Sequence, residues 1–181
     1  MSKLYNIPGV TTFEYTKIVG LDNIEFGKNI IIDDFVFIYA TNTIKIGNNV
    51  HIASFTSITG GGTLTMEDFS TLSSGIRVVM GTDDYKDWGF GNSTVKRSFR
   101  NVKTGHIHLS RFAIVGANSV ILPDVNIGEG VSVGAGSVVT KDLAPWGIYI
   151  GNSRVGERNK LAVLENYKSY LAEHNTIHYE P

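Results

Sequence analysis

Apolar residues recur every six positions along most of the chain. The count restarts twice after an offset of eight, stops after Val78 and resumes at Leu109. The series is Phe26, Ile32, Ile38, Ile46, Ile52, Ile58, Met66, Leu72, Val78, Leu109, Val115, Ile121, Ile127, Val133 and Val139. A helical face needs intervals of three and four, and a hairpin sheet needs turn signals every eight to twelve residues. A strict period of six instead predicts a parallel β-helix, in which each hexad supplies one short strand and one corner.

The position two before each residue of this series is also apolar or small. Because strand side chains alternate between faces, both positions should point into a prism and the residue between them should point out. Three hexads make one coil, and the series predicts coils at residues 24–40, 44–60, 64–80, 107–123 and 125–141. Directly after inward positions come glycines whose freedom in φ would suit tight corners, namely Gly47, Gly116, Gly128 and Gly134.

The length of 181 residues predicts one compact domain. Residues 1–22 form a lead-in, and residues 1–153 as a whole make up the repeat domain. An aperiodic loop at 81–106 interrupts it after the third coil, and long loops in compact proteins are often functional. Residues 154–181 are expected to form a helix and tail, with Leu161, Leu164 and Leu171 near helical spacing.

The 16 basic and 17 acidic residues are spread along the chain and leave a net charge of −1. A nucleic-acid binder would concentrate positive charge, so no nucleic-acid partner is expected. The absence of cysteine excludes disulfides and thiol catalysis. Without a signal-peptide pattern or a membrane-spanning stretch, the expected location is the cytoplasm.

The stretch IVGANSVILPDVNIGEGVSVGAGSVVTKDLAPWGIYIGN, at 114–152, resembles the C-terminal signature of the hexapeptide-repeat acyltransferases. Within that family it is similar to the galactoside, maltose and O-antigen sugar O-acetyltransferases, over roughly residues 20–160. The resemblance implies an all-β fold, a left-handed parallel β-helix of about five coils, which is an exception to the usual right-handed crossover. It also implies a homotrimer with active sites between subunits and acetyl-CoA as the acyl donor.

The resemblance assigns acetyl-CoA to the fourth and fifth coils and the segment that follows them. The pantetheine arm would contact backbone at Gly116, Ala117, Gly134 and Ala135, where small residues permit close approach. The phosphates of the donor would pair with Lys141, Arg154, Arg158 and Lys160. No metal is expected, because the related zinc enzymes need a histidine spacing that this sequence lacks.

In the sugar acetyltransferases a histidine at the end of the third coil acts as general base. The corresponding turn here is Gly81-Thr82-Asp83-Asp84, so that histidine is missing. Asp83 or Asp84 could replace it if burial or a neighbouring carboxylate raised the pKa. The two aspartates could instead bind acceptor hydroxyls or an ammonium group, or the turn could be purely structural.

A histidine from elsewhere could also supply the base. His51 points outward from the second coil and is preferred, and His106, where the long loop returns, is second. The remaining histidines are His108, assigned to substrate binding, and His174 and His178, expected to be solvated. Further substrate contacts are expected from the turn and the long loop, at Thr82, Tyr85 and Trp88.

These observations predict an acetyl-CoA-dependent O-acetyltransferase that acts directly on a sugar or a precursor of a surface polysaccharide. A deprotonated amine needs less help from a base than a hydroxyl does. The missing histidine therefore leaves open an N-acetyltransferase acting on a nucleotide-linked amino sugar. A non-catalytic β-helix scaffold is the alternative of another class.

Overall fold

A computed structural model describes residues 5–176 of the chain. It is a three-sided prism, whose faces are numbered 1 to 3 in chain order. Face 1 contains the strands β1 (Val10–Thr12), β4 (Ile30–Ile32), β7 (His51–Ile52), β10 (Thr71–Leu72), β15 (Ile114–Val115), β18 (Ser132–Val133), β20 (Gly147–Ile150) and β21 (Ser153–Glu157). Face 2 contains β2 (Lys17–Val19), β5 (Phe37–Tyr39), β8 (Ser57–Thr59), β11 (Arg77–Val79), β16 (Val120–Ile121) and β19 (Val138–Val139). Face 3 contains β3 (Ile24–Phe26), β6 (Ile44–Ile46), β9 (Thr63–Met66), β14 (His106–Leu109) and β17 (Val125–Ile127).

All neighbouring strands within these faces are parallel except β20 and β21, which are antiparallel. Each strand lies directly above the strand one coil earlier, as shown by the register Ile32, Ile52 and Leu72. Backbone hydrogen bonds join successive coils, for example from the Ala53 N–H to the Leu72 carbonyl at 2.9 Å. The chain is thus a left-handed parallel β-helix, and the predicted fold is confirmed.

The core is a set of columns of branched aliphatic side chains along the prism axis. Ile32, Ile52, Leu72 and Val115 form one such column, and each is fully buried. The five predicted coils each contain one strand from every face. Strands β1 and β2 add a partial coil inside the segment predicted as a lead-in, because Val10 and Ile18 are also buried inward positions.

The loop at 81–106 leaves the prism after β11 and returns at β14. Its two ends are joined as a short antiparallel pair, β12 (Gly81–Thr82) with β13 (Lys103–Thr104). One 3₁₀ turn spans Arg97–Phe99 in the loop, and another spans Leu21–Asn23 between β2 and β3. The loop therefore starts and ends at the corner between faces 2 and 3, named edge 2–3 here.

The corner glycines are needed for a different reason from the predicted one. Gly47, Gly116, Gly128 and Gly134 all lack a positive φ. A Cβ at Gly116 would instead lie 2.6 Å from the backbone nitrogen of Ala135 in the next coil. Close stacking of coils, rather than conformational freedom, excludes a side chain at this position.

The single α-helix of the described residues, α1 (Lys160–Thr176), runs along the corner between faces 3 and 1, named edge 3–1. Tyr167 packs edge-on against Phe69 and Phe112, with ring centroids 5.3 and 5.1 Å apart. The helix was predicted, but the side chains that pack it against the prism were not. Leu161, one of the leucines expected on the packing face, is 73% exposed. Aromatic residues rather than leucines attach α1 to the prism. No helix within residues 5–176 is long and apolar enough to cross a membrane.

Replacing Gly116 with alanine should destabilise the protein, because the added methyl group meets rigid backbone of the next coil. Overpacking of this kind costs about 1–3 kcal/mol of unfolding free energy. Thermal denaturation should show a lower Tm for Gly116→Ala than for Gly156→Ala, whose Cβ would meet only the Ile148 side chain at 3.7 Å. Equal Tm values for the two variants would contradict this account of coil stacking.

Candidate active site

The acidic turn at the start of the long loop is built around Asp84. Its carboxylate accepts hydrogen bonds from the backbone N–H groups of Lys86, Asp87 and Gly89 at 2.8–2.9 Å. The Asn101 side chain donates a further bond at 3.0 Å. These donors, the backbone of Asp87 above all, hold the pKa of the Asp84 carboxyl far below its ordinary value of 3.8.

A general base must be able to accept a proton near neutral pH, which a carboxylate with such a low pKa does poorly. The raised pKa that a base role for Asp84 would require is therefore not found. Its lone pairs bind the loop backbone, which fixes the first turn of the loop against Asn101 at the other end. The structural interpretation of this turn fits Asp84 best.

Asp83 has a different partner. Its Oδ1 accepts hydrogen bonds from Arg100 Nη2 at 2.8 Å and from Arg100 Nε at 3.3 Å. The Arg100 side chain is only 18% exposed, whereas Asp83 is 39% exposed. Asp83 thus neutralises and orients a guanidinium group at the base of the loop. Thr82 lies in β12 and donates its hydroxyl hydrogen to the Asp83 carbonyl at 3.1 Å.

The aromatic residues of the loop stand away from the prism. Tyr85 is 91% exposed and Trp88 is 65% exposed. Phe90 and Phe99 lie with ring centroids 6.2 Å apart and are both exposed. None of these four residues lines the cavities described next. The assignment of Tyr85 and Trp88 to substrate binding stays a prediction.

A groove with a volume of about 670 Å³ crosses face 3 towards edge 3–1. Its polar walls are Glu25, Lys45, Thr65, Glu67, Asp68, Arg111 and Glu129, with Phe26, Ile46 and Met66 beneath. A smaller cavity of about 330 Å³ shares Glu25, Lys45 and Thr65 with it and extends to Thr63 and His106. We name the two together the face-3 groove. Its four acidic residues outnumber the two basic ones.

Two histidines stand side by side on face 3. His106 Nδ1 lies 2.8 Å from Thr63 Oγ1, and His108 Nε2 lies 2.9 Å from Glu67 Oε1. The imidazole rings are 6.0 Å apart and nearly perpendicular. Glu67 is itself fixed, because its Oε2 accepts the Arg111 backbone N–H at 2.8 Å. Both rings are thus oriented by residues of the coil before, His106 by Thr63 of β9 and His108 by Glu67, which directly follows β9.

His51, the preferred histidine from sequence, lies on face 1 and not with the other two. Its Nε2 is 3.1 Å from Asp33 Oδ2, and its side chain is 45% exposed. The column above and below it consists of Ile31, Thr71 and Ile114. A single chain therefore does not bring His51 together with Asp83 or His106. His174 contacts the Tyr170 carbonyl on α1, and His178 lies outside the described residues.

The predicted donor positions lie on the corner between faces 1 and 2, named edge 1–2. The N–H groups of Gly116 and Gly134 donate hydrogen bonds to the next coil, to the carbonyls of Val133 and Tyr149 at 2.8 and 2.7 Å respectively. These two glycines are therefore unable to offer their N–H groups to a ligand. Ala117 is partly exposed and Ala135 is exposed on the same edge, so they remain the candidate backbone contacts.

The four predicted phosphate-binding residues do not form one cluster. Arg158 Nη1 donates to the Phe112 and Gly130 carbonyls at 2.7 and 3.2 Å, and burial lowers the pKa of its guanidinium. These contacts turn Arg158 into the protein at edge 3–1, where Lys160 Nζ also lies 5.6 Å from the Trp146 ring centroid. Arg154 pairs with Glu157 on β21, and Lys141 is exposed beyond β19.

Sequence reasoning missed Glu67, Arg97 and Arg100. The two eight-residue intervals in the apolar series were a usable signal for the arginines. Each interval adds two residues at edge 2–3, and Arg97 and Arg100 of the loop lie at the same corner. Glu67 is harder to find from sequence, because the register places Thr65 opposite His108 and Glu67 lies one residue beyond β9. Among residues 5–176, no group of three or more histidine, cysteine or acidic side chains could hold a metal ion.

Replacing Asp84 with alanine should loosen the loop, because three backbone N–H groups lose their acceptor. Hydrogen–deuterium exchange at Lys86, Asp87 and Gly89 should become at least about tenfold faster than in wild type. The Asp87→Ala variant is the control, since Asp87 accepts only side-chain hydrogen bonds from Lys103 and Asn101. The pKa of Asp84 is lower in the folded than in the unfolded protein, so its ionised carboxylate stabilises the loop fully above the unfolded pKa. This stabilisation is lost only as the pH falls through the folded pKa. The protection in wild type should therefore hold from about pH 5 upwards. Unchanged exchange in Asp84→Ala would contradict this role.

Comparisons with known proteins agree with the stacked hexads. A family model described as bacterial transferase hexapeptide (six repeats) matches residues 106–141. A dTDP-4-amino-4,6-dideoxy-D-glucose acyltransferase of Escherichia coli is 34% identical over 144 residues, which cover 78% of this chain and 75% of that protein. The crystal structure of AntD, an N-acyltransferase from Bacillus cereus, in complex with dTDP and 3-hydroxybutyryl-CoA is 35% identical with a TM-score of 0.86, and the match covers 92% of this chain and 89% of that one.

A maltose O-acetyltransferase from Clostridium difficile is also similar, with a TM-score of 0.61 over 75% of this chain and 71% of that one. At 20% identity this second similarity concerns the fold alone. The identity and coverage shared with the Escherichia coli enzyme go further than the fold. They show that the chain belongs to the hexapeptide-repeat family of bacterial acyltransferases.

Proposed function

We propose that the protein transfers an acyl group from acyl-CoA to the amine of a nucleotide-linked amino sugar. The relatives that support this proposal act on such an acceptor: the Escherichia coli protein is a dTDP-amino-sugar acyltransferase. Another AntD structure contains dTDP-4-amino-4,6-dideoxyglucose and coenzyme A. The O-acetyltransferase expected from sequence has weaker support, since the O-acetyltransferase neighbour shares only the fold. We place the reaction in the cytoplasm, where acyl-CoA and nucleotide sugars are made.

The observation that carries the proposal is the face-3 groove with His106 at its rim. Glu25 pairs with Lys45 and Glu129 with Arg111, so Glu67 and Asp68 leave the groove with a net negative charge. This charge favours an acceptor that arrives as an ammonium ion. In the reaction, the ammonium gives one proton to His106 and the amine nitrogen attacks the thioester carbonyl. The C–S bond breaks as the amide forms, and the second proton lost by the nitrogen passes to the CoA thiolate. No covalent enzyme intermediate is required.

His106 is the candidate proton acceptor. When its Nδ1 carries the proton, it donates to Thr63 Oγ1 and leaves the Nε2 lone pair for the substrate ammonium. His108, held by Glu67, stands 6.0 Å away and would contact the sugar beside the amine. Asp83 acts on this site only through Arg100. These roles follow from placement on one face, which His51 does not share.

Acyl-CoA is proposed to lie along edge 1–2, with its pantetheine arm against Ala117 and Ala135. Both residues are small and reach the surface, which permits close approach to the backbone. The donor phosphates would then pair with Lys141 and Arg154, the two basic residues that are not turned into edge 3–1. Gly116 and Gly134 would shape the corner without bonding the ligand.

This arrangement requires more than one copy of the chain. The donor edge 1–2 and the acceptor face 3 are on different sides of the prism, yet reacting atoms must come within about 3–3.5 Å. The stacked rings of Tyr15, Phe35 and Phe55 on edge 1–2 are each more than half exposed, so apolar surface remains to be covered. We therefore propose a homotrimer in which edge 1–2 of one subunit faces the acceptor side of the next.

The function is tested by acyl transfer to matched acceptors. With acetyl-CoA or 3-hydroxybutyryl-CoA as donor, dTDP-4-amino-4,6-dideoxyglucose should be acylated at its amine, as followed by thiol release and mass spectrometry. Neither dTDP-glucose nor maltose, which offer only hydroxyl groups, should react at a comparable rate. Preferential acylation of the hydroxyl sugars would return the protein to the O-acetyltransferases.

The base assignment is tested by replacing single histidines. His106→Ala should lower kcat about 10²-fold with little change in the KM for acyl-CoA, because general-base catalysis contributes about 10²–10⁴-fold. His108→Ala should mainly raise the KM for the sugar. The His106→Gln variant retains a polar side chain but no base and should behave like the alanine variant. Loss of kcat in His108→Ala with full activity in His106→Ala would reverse the two roles.

The oligomer is tested by light scattering of the purified protein, which should give three times the mass of one chain. Phe35→Glu places a charge in the exposed aromatic stack and should lower both the mass and the acyl-transfer rate. Leu161→Glu alters an equally exposed apolar residue on α1 and should change neither. A fully active protein with the mass of a single chain would rule out a shared site.

A further inference from the structure

A second cavity lies under the long loop, at edge 2–3. It has a volume of about 420 Å³ and is named the loop pocket here. One wall is made by the corner turns at Thr41, Asn42, Gly60 and Gly61, and the other by Arg97 and Arg100 of the loop. The volume is in the range typical of small-molecule sites. The two guanidinium groups make it the cationic counterpart of the acidic face-3 groove.

The pocket exists because the repeat is irregular at this corner. Successive strands on face 1 are 20 residues apart in the early coils, as in the pair Ile32 and Ile52, but 18 apart between Val115 and Val133. The two extra residues of each early coil form the turns at edge 2–3. Gly60 and Gly61 both have a positive φ, which lets the chain turn back sharply here.

One of the two arginines is held in place before any ligand arrives. Asp83 accepts from Nε and Nη2 of Arg100, so that these two atoms fix the plane of the guanidinium. An arginine has five N–H donors in a rigid fork, and Asp83 uses only one side of it. With its side chain 18% exposed, Arg100 is a partly buried, oriented cation. Such a group is suited to binding a phosphate oxygen with little loss of entropy.

Arg97 adds charge without a carboxylate neighbour of its own among the described residues. Asp83 pairs with Arg100 from outside the lining, so the two guanidinium groups leave the pocket with a net positive charge. No acidic residue contributes to its lining. A diphosphate offers several oxygens to the free N–H donors of the two arginines, which a single carboxylate cannot do.

The loop pocket opens towards the acceptor side of the prism. Three chain segments run from its wall directly onto face 3: Asn42 precedes Thr43, Gly61 lies two residues before Thr63, and Thr104 lies two residues before His106. Two extended residues span roughly 7 Å. A diphosphate in the pocket would therefore place an attached sugar ring over Thr63 and His106, at the entrance of the face-3 groove.

We propose that the loop pocket binds the diphosphate of the nucleotide-linked acceptor through Arg97 and Arg100. This inference rests on the proposed function and specifies how its acceptor lies. The anionic diphosphate occupies the cationic pocket, and the ammonium group of the sugar points to the acidic groove. The two ends of the substrate thus meet opposite charges, which fixes its direction along face 3.

Coenzyme A also contains a diphosphate, so the loop pocket could in chemical terms bind either the acceptor or the donor. The pocket lies on edge 2–3 beside the third coil, whereas the small residues proposed for the pantetheine arm lie on edge 1–2 of later coils. The position therefore favours the acceptor. A difference between the two ligands in the experiment below decides this point.

The experiment measures binding of dTDP and of inorganic pyrophosphate by calorimetry, with coenzyme A as a third ligand. Arg97→Ala and Arg100→Ala should each weaken dTDP and pyrophosphate about tenfold or more and leave the Kd of coenzyme A unchanged. Arg97→Lys keeps the charge without the fork and should lie between wild type and Arg97→Ala. The matched control is Lys96→Ala, which removes an exposed charge from the same loop outside the pocket.

Arg97 is exposed, so its variants should fold, and an unchanged Tm verifies this for each protein. Wild-type affinity for dTDP in both Arg97→Ala and Arg100→Ala would overturn the proposal. A parallel loss of coenzyme A binding would assign the pocket to the donor and would overturn it equally. If dTDP binding is lost as expected but no amino sugar is acylated, the pocket stands and the proposed function fails.

Kinetics supply a second readout for an active enzyme. Arg97→Ala should raise the KM for the dTDP-amino sugar about tenfold while kcat at saturation stays near the wild-type value. A variant of the proposed base, such as His106→Ala, should instead lower kcat and leave the KM for the dTDP-amino sugar near the wild-type value. Loss of kcat alone in Arg97→Ala would contradict a binding role for this arginine.

Discussion

Stacking of coils in register is the constraint on which the rest of the structure depends. Backbone hydrogen bonds between successive coils require strands to lie about 4.8 Å apart, and the buried columns require aliphatic or small side chains at the inward positions. Gly116 shows how tightly this is enforced, since even one methyl group would meet the backbone of the next coil. Once the register is set, each outward side chain has a fixed neighbour one coil before and one coil after it.

The candidate site is assembled by that register. His108 and Glu67 are 41 residues apart in sequence, yet β9 and β14 pair so that the two side chains bond across adjacent coils. His106 and Thr63 are directly opposite each other in the same pairing. The long loop is held in place separately, because Asp84 accepts hydrogen bonds from the backbone at one end of the loop and from Asn101 at the other. A rigid prism and a fixed loop thus leave between them the cavities in which the proposed chemistry would take place.

The period of six was sufficient to predict a parallel β-helix, since burying both inward positions leaves few other arrangements, and the family resemblance added its left-handedness. The individual site roles were harder to predict, because they depend on which atoms meet across coils. Asp84 shows the difference: an acidic residue in a functional turn suggests a base, but three backbone N–H groups make it a fixed anion. Arg158 likewise has the charge expected of a phosphate contact but donates to two backbone carbonyls. Composition and spacing record neither kind of partner.

The missing histidine of the acidic turn can be understood from the same geometry. At this corner Asp83 orients Arg100, so the turn holds a guanidinium group in a fixed position. An acceptor carrying a diphosphate would use such a cation for binding, whereas a neutral sugar would not. An amine acceptor also needs less basic assistance than a hydroxyl, and a histidine on the neighbouring face can provide it. Under the proposed function, the loss of one catalytic group at the turn and the gain of an anion site beside it are therefore two parts of a single change in acceptor.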